Sequence, residues 1–232
     1  MINQIISRCL KPLRGLGLKE KLYNHYAKWH DVFCEWRMGI STVGIKRNTL
    51  HKDAVSYEPV PYTVIFPVLA ALGVSSENTF ADIGCGKGRV VCAAMTLNFA
   101  EVIGVEIDEE LAQIAQANVK KMQSKNAVKN AGSIDNVSAT ARRYENIDRF
   151  FLYNPFGAET VEAFLTIVAQ EQKKNPAKIK IAYVNPVHFD VFKKFDWLRL
   201  ENEWPESRFP GFYVWPRENG APMRAVQIWA SV

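Results

Sequence analysis

Cysteine is scarce and unpaired in this chain. Its four cysteines, Cys9, Cys34, Cys85 and Cys92, form no C-x-x-C pair, and they stand at no metal-ligand spacing with His25, His30, His51 or His188. That pattern excludes a disulfide framework and predicts free thiols in a reducing, cytoplasmic compartment, with no metal site. Long apolar runs are lacking too. The longest, 64–74, is broken by Pro67 and is too short to span a bilayer, so no transmembrane segment is expected. Residues 1–8 place apolar side chains before any charge, in too short a run for a signal peptide. Neither internal repeats nor low-complexity tracts occur.

What is present is the material of a folded, soluble domain. The 232 residues are 48% apolar and 23% charged, enough to bury a core and to exclude disorder as a class. The formal net charge of +5 is unevenly placed. Residues 1–60 hold ten Lys/Arg against five Asp/Glu, and the remainder is balanced. A nucleic-acid binder is expected to carry a denser basic face. In the basic segment, Leu22, Tyr26, Trp29 and Phe33 recur at steps of three and four. That is an apolar helical stripe, expected to pack on its own domain, with a partner or membrane surface as the alternative.

From residue 60 the chain alternates between helix and strand patterns. Helices are predicted over 62–72, 89–97, 109–124 and 159–173. Strands are predicted over 79–83, 101–106, 149–153 and 179–184, with a weaker one over 136–140. Alternation of this kind implies a mostly parallel sheet with helices on both faces. The end differs: 211–215 and 225–229 are strand-like and flank an Asn219-Gly220 turn signal, which predicts an antiparallel closing hairpin.

Two motifs point to a bound nucleoside. Asp82-Ile83-Gly84-Cys85-Gly86-Lys87-Gly88 lies after a strand and before a helix, where glycines let the backbone curve tightly and approach a ligand. Its G-x-G-x-G spacing departs from the dinucleotide fingerprint, whose third glycine falls where Arg89 stands. Glu106 ends the next strand, where a carboxylate can accept hydrogen bonds from two vicinal ribose hydroxyls.

Together these segments resemble the class I S-adenosylmethionine-dependent methyltransferases, over residues 57–232. The resemblance implies a Rossmann-like α/β fold of seven strands whose sheet closes antiparallel. It also implies S-adenosyl-L-methionine as cofactor. Asp82 and the turn of Gly84, Cys85, Gly86 and Gly88 would hold its methionine part, Glu106 its ribose, and Ile107 would lie against adenine. The family often has an acid after the third strand; Thr140 stands near that place here. Tyr57-Glu58-Pro59-Val60-Pro61-Tyr62 resembles a segment that covers the cofactor in some small relatives, including some that modify protein lysines. Residues 1–56 would then be an N-terminal helical extension.

A third motif, Asn154-Pro155-Phe156, ends the fourth strand on the ligand edge. It resembles the Asn-Pro-Pro-aromatic motif of amino-group methyltransferases with one proline missing. By that resemblance Asn154 and the following carbonyl align an amine, and Phe156 stacks on a planar substrate. Read from residues alone, the same motif is a turn with a buried Phe. Asn185-Pro186 ends the fifth strand and is a further candidate for the cleft. His188 reads as a base or as a surface histidine. Residues 204–211, rich in proline and aromatics, read as a gate or as a structural cover.

The expected activity is N-methyl transfer to an amine, with a protein lysine or another amino group first. A small-molecule amine and a nucleobase are also open as acceptors. No metal is required, because the positively charged sulfur is already an activated leaving group. Two rivals stand beside this reading: a non-catalytic S-adenosylmethionine-binding protein acting through a partner, and a nicotinamide-dependent oxidoreductase.

Overall fold

The computed structural model describes residues 16–47, 53–125, 128–174, 176–205, 208–209 and 224–232. Helix α1 (Leu16–Met38) comes first, then α2 (Tyr62–Leu72), β1 (Thr79–Ile83), α3 (Arg89–Met95) and β2 (Glu101–Glu106). Next are α4 (Glu109–Ser124), β3 (Ala131–Asn136), β4 (Arg149–Tyr153), α5 (Ala158–Lys174) and β5 (Lys180–Val184). A short α6 (Phe189–Phe192) precedes β6 (Leu198–Pro205) and β7 (Arg224–Ser231). The seven strands form one sheet in the order β3-β2-β1-β4-β5-β7-β6. β1 to β5 run parallel, and β7 runs antiparallel between β5 and β6.

Alternation along each strand builds two cores, one per sheet face. Phe80, Val102, Phe151, Ala182 and Val184 meet α2, α3 and α4 on one face. Ala81, Ile83, Ile103, Phe150 and Leu152 meet α5 and α6 on the other. The central strands are buried on both faces, which is why they read in sequence as short continuous apolar runs.

Three expectations need correction or limits. The third strand is β3, residues 131–136, not 136–140. It lies at the sheet edge with no apolar run, and after Asn136 the Val137 N–H still reaches Glu106 O at 3.1 Å before the chain turns away. The closing pair is β6 with β7, and β6 lies at 198–205; the 211–215 run falls outside the described residues. The helical stripe faces the other way. Trp29 is 73% exposed and Phe33 53%, and Leu22 is also exposed, while Tyr26 is half-buried.

The face that α1 turns inward is polar. Asp31 and Glu35 bind Arg89, the first residue of α3, at 2.7 and 2.8 Å. The Asp31 carboxylate also accepts the Tyr62 N–H at 2.9 Å, capping the start of α2. Met38 and Ile40 complete the contact as buried side chains.

Candidate active site

β1, β2, β4 and β5 all end on one edge of the sheet, and a cavity of about 190 Å³ opens there. Its lining includes every cofactor or catalytic position singled out in the sequence except Gly88: Tyr57, Asp82, Gly84, Cys85, Gly86, Glu106, Ile107, Asn154, Pro155 and Phe156. The loop from β1 to α3 shapes its floor. Gly84 N–H and Cys85 N–H both donate to Val105 O, at 2.8 and 3.0 Å, and Gly88 N–H closes the turn on Cys85 O. Gly84 and Gly86 have positive φ, 77° and 54°. A Cβ on Gly84 would collide with Pro155, and one on Gly86 with the Tyr57 ring. The turn therefore needs glycine for close approach as well as for conformation.

Glu106 braces this turn from β2. Its Oε2 accepts the Gly86 N–H at 2.7 Å and its Oε1 the Asp108 N–H at 2.9 Å. Burial still pushes its carboxyl above the ordinary range, against the pull of those amides. Each oxygen retains a second lone pair for a ligand hydroxyl. Asp82 is 3% exposed and lines the same cavity, and no described side chain or amide donates to its carboxylate. Burial, and then the neighbouring Glu106, push its pKa well up. A buried acid without a donor is costly unless a ligand supplies one.

The cations nearby are mostly committed elsewhere. Arg89 holds Asp31 and Glu35, donates to Thr42 Oγ1 at 2.6 Å and to Val60 O at 3.2 Å, and lies 4.9 Å from the Tyr62 ring centre. Lys46 pairs with Asp108 at 2.7 Å and Glu110 at 2.8 Å. Arg47 stands exposed in the lining. An acidic floor with a cation at the rim suits an amino acid that carries an ammonium and a carboxylate.

The wall opposite comes from Lys46, Arg47 and residues 53–60. Tyr57 lies over Gly86, donates to Thr42 O at 2.5 Å and has Lys87 Nζ 5.3 Å from its ring centre. Antiparallel bridges join Lys46 to Tyr57 and Ala54 to Phe156.

The family described as Methyltransferase domain matches residues 75–180, the stretch that carries the glycine turn, Glu106 and Asn154. That segment, under half of the chain, is similar to methyltransferase domains. Among curated proteins, a protein-lysine N-methyltransferase of Saccharolobus islandicus is 38% identical over 68 residues, covering 29% of this chain and 42% of that protein. A ribosomal protein L11 methyltransferase of Thermotoga petrophila is 41% identical over 44 residues, covering 19% of this chain and 17% of its own. The chain thus spans less than half the length of either relative. The solved RNA methyltransferase of Salinibacter ruber, in complex with S-adenosyl-L-homocysteine, superposes with a TM-score of 0.52 at 16% identity. That match covers 75% of this chain and 94% of the other, and it shows the shared fold.

In this chain the Asn154 motif sits beside the floor, and two of its parts differ from expectation. Asn154 is 9% exposed, with φ 39°, and the Tyr183 hydroxyl donates to its Oδ1 at 3.4 Å. The Pro155 carbonyl already accepts the Val55 N–H at 3.0 Å. Phe156 is 7% exposed and belongs to the α5-side core, so its ring presents little open face for stacking. Asn185 does join the lining, with φ 49° and 4% exposure, as its place at the end of the fifth strand suggested. Thr140 pairs with Ser138 Oγ at 3.0 Å, and the residues that reach the cavity there are Val137, Ser138 and Ala139.

His188 lies outside the lining; burial lowers its pKa, and its backbone N–H donates to the Tyr183 hydroxyl at 3.2 Å. Burial pushes the Cys85 thiol well up and that of Cys92 to about 12, so neither is a nucleophile near neutral pH. Trp204 and Phe209 are buried in the α2-side core, which makes that part of 204–211 a structural cover. Thr42, Lys46 and Arg47 were not foreseen; they lie far upstream of the motifs and carry no spacing signal.

Proposed function

We propose that this chain transfers a methyl group from S-adenosylmethionine to an amine nitrogen, with a protein lysine as the first-ranked acceptor. The observation that carries this reading is Asn154, held in the left-handed backbone region with its side chain at the cavity beside the glycine turn. The lysine ranking draws on the Saccharolobus relative and on the Tyr57 segment.

When bound, S-adenosylmethionine supplies an electrophilic methyl on a positively charged sulfur. Asp82 accepts the ligand ammonium, and Arg47 is the rim cation suited to its carboxylate. Glu106 accepts the ribose hydroxyls, Ile107 lies against the adenine, and Gly84, Cys85, Gly86 and Gly88 form the cradle. Tyr57 covers it. Asn154 Oδ1 accepts an N–H of the incoming amine, which orients the lone pair and favours the positive charge that develops on nitrogen. The Pro155 carbonyl keeps one lone pair after Val55 and Asn154 Oδ1 one after Tyr183, so each can accept from the amine. The amine must enter neutral, and the wall of Lys46, Arg47 and residues 53–60 limits water around it.

The division at residue 56 separates a helical extension from the methyltransferase domain in sequence, although both contribute to the cavity. A cytoplasmic location suits the free thiols of Cys34, Cys85 and Cys92. Among the described residues no helix is long and apolar enough to cross a membrane.

The test is transfer of labelled methyl from the cofactor into cell extract, sorted into protein, nucleic-acid and small-molecule fractions. Label in protein, recovered as methyl-lysine, is the expected result; label confined to nucleic acid would replace the acceptor class. With the acceptor in hand, Asn154→Ala should keep cofactor affinity within a few-fold and cut turnover about 10²–10³-fold. Wild-type turnover in the folded variant would remove Asn154 from the mechanism.

A further inference from the structure

Among the described residues, the outward face of α1 is an exposed apolar surface that methyl transfer does not use. Trp29 and Trp36 are 73% and 75% exposed, Val32 57% and Phe33 53%, with Leu22 about two turns upstream of Trp29. At 100° per residue Leu22, Trp29, Val32, Phe33 and Trp36 fall on one side of the helix. No described group hydrogen-bonds the indole N–H of Trp29 or Trp36. The Phe33 and Trp36 rings lie tilted against each other, centres 6.0 Å apart. An apolar patch this contiguous marks an interaction surface.

Charge says what kind of surface fits it. Between residues 22 and 38 the acids are Asp31 and Glu35, and both turn inward to Arg89. Lys28 and Arg37, both exposed, lie to either side of the aromatic face. Residues 1–47 as a whole carry nine Lys/Arg and three Asp/Glu. A second copy of the chain would set these cations against their own images. An anionic lipid surface would complement them, and it would take indole rings at headgroup depth with their N–H groups solvated. The inward ion pairs fix the helix along the domain, so it presents this face sideways, in the orientation of a helix lying in an interface rather than crossing one.

We propose that the outward face of α1 docks the protein on an anionic membrane surface, with Trp29, Phe33 and Trp36 inserted at the headgroups and Lys28 and Arg37 against the phosphates. This attachment is separate from the reading of the cavity and stands or falls without it.

The test uses the full chain with vesicles of phosphatidylcholine alone and of phosphatidylcholine with phosphatidylglycerol. Sedimentation with the anionic vesicles only, falling with salt and accompanied by a blue shift of tryptophan emission, is the expected result. The combined variant Trp29→Ser, Phe33→Ser, Trp36→Ser should bind about tenfold or more weakly, with melting temperature and S-adenosylhomocysteine affinity unchanged. Lys28→Glu with Arg37→Glu should weaken binding about tenfold or more while the aromatic face stays intact. The proposal is overturned by equal binding to both vesicle types, by binding that ignores these variants, or by no binding. It is equally overturned by a wild-type dimer that the aromatic variant abolishes, which would assign the face to a second copy.

Discussion

Asp82 and Glu106 are two acids in one small, mostly apolar space, and burial raises both. The sign of the consequence depends on which equilibrium is followed. For folding without ligand, a carboxyl raised in the native state contributes stability that is present below the ordinary carboxylate range. That contribution is lost as pH rises through the native pKa. For ligand binding the direction reverses under the role proposed for Asp82, because a ligand ammonium would need that carboxylate ionised. Affinity for S-adenosylhomocysteine should therefore rise with pH through the raised pKa of Asp82, and Asp82→Asn should flatten that part of the profile while lowering affinity. Calorimetric titration at a series of pH values measures it, and an unchanged profile in the variant would remove Asp82 from the ligand. This pair was legible in the sequence because glycine spacing and strand ends locate it. Asn185 was legible too, as the residue ending the fifth strand, but Thr42 was not, since its position depends on how distant segments meet in space.

At the scale of elements, Arg89 joins the loop at the cavity to α1. Its side chain is 4% exposed and those of its partners Asp31 and Glu35 are 21% and 10%. Removing the guanidinium would leave two acids partly or fully buried without their partner, a change that costs about 3–5 kcal/mol in comparable buried pairs. Arg89→Met should lower the melting temperature sharply. Adding Asp31→Asn and Glu35→Gln should restore part of the loss, as read by thermal unfolding of the three proteins. Failure of the added substitutions to rescue would mean that the cost lies in packing rather than in unpaired charge. Elements with both faces buried, such as β1, β2 and β4, could be read from sequence to the residue. β3 and β6 could not. Both are edge strands with largely half-buried or exposed polar side chains, and β6 pairs only with β7 through shifted registers. For α1 the helix was legible but its orientation was not, because an inward acid pair outweighed the aromatic stripe in choosing the buried side.

For the molecule as a whole, the described residues of the N-terminal quarter, 16–47 and 53–58, line or brace the cavity. Lys46, Arg47 and residues 53–60 form its wall, and Thr42 and Glu35 hold that wall to Arg89 and Tyr57. Deleting residues 1–50 should lower both the melting temperature and the S-adenosylhomocysteine affinity. Thermal unfolding with calorimetry would detect each loss, and unchanged values would make the segment detachable. The same long-range ion pairs set an order of events during synthesis. Asp31 waits for an arginine made 58 residues later. At about 5–20 residues per second that interval is roughly 3–12 s. Throughout it the acids of α1 lack their arginine, so the buried ion pairs form only after the first strand and its glycine turn have been made.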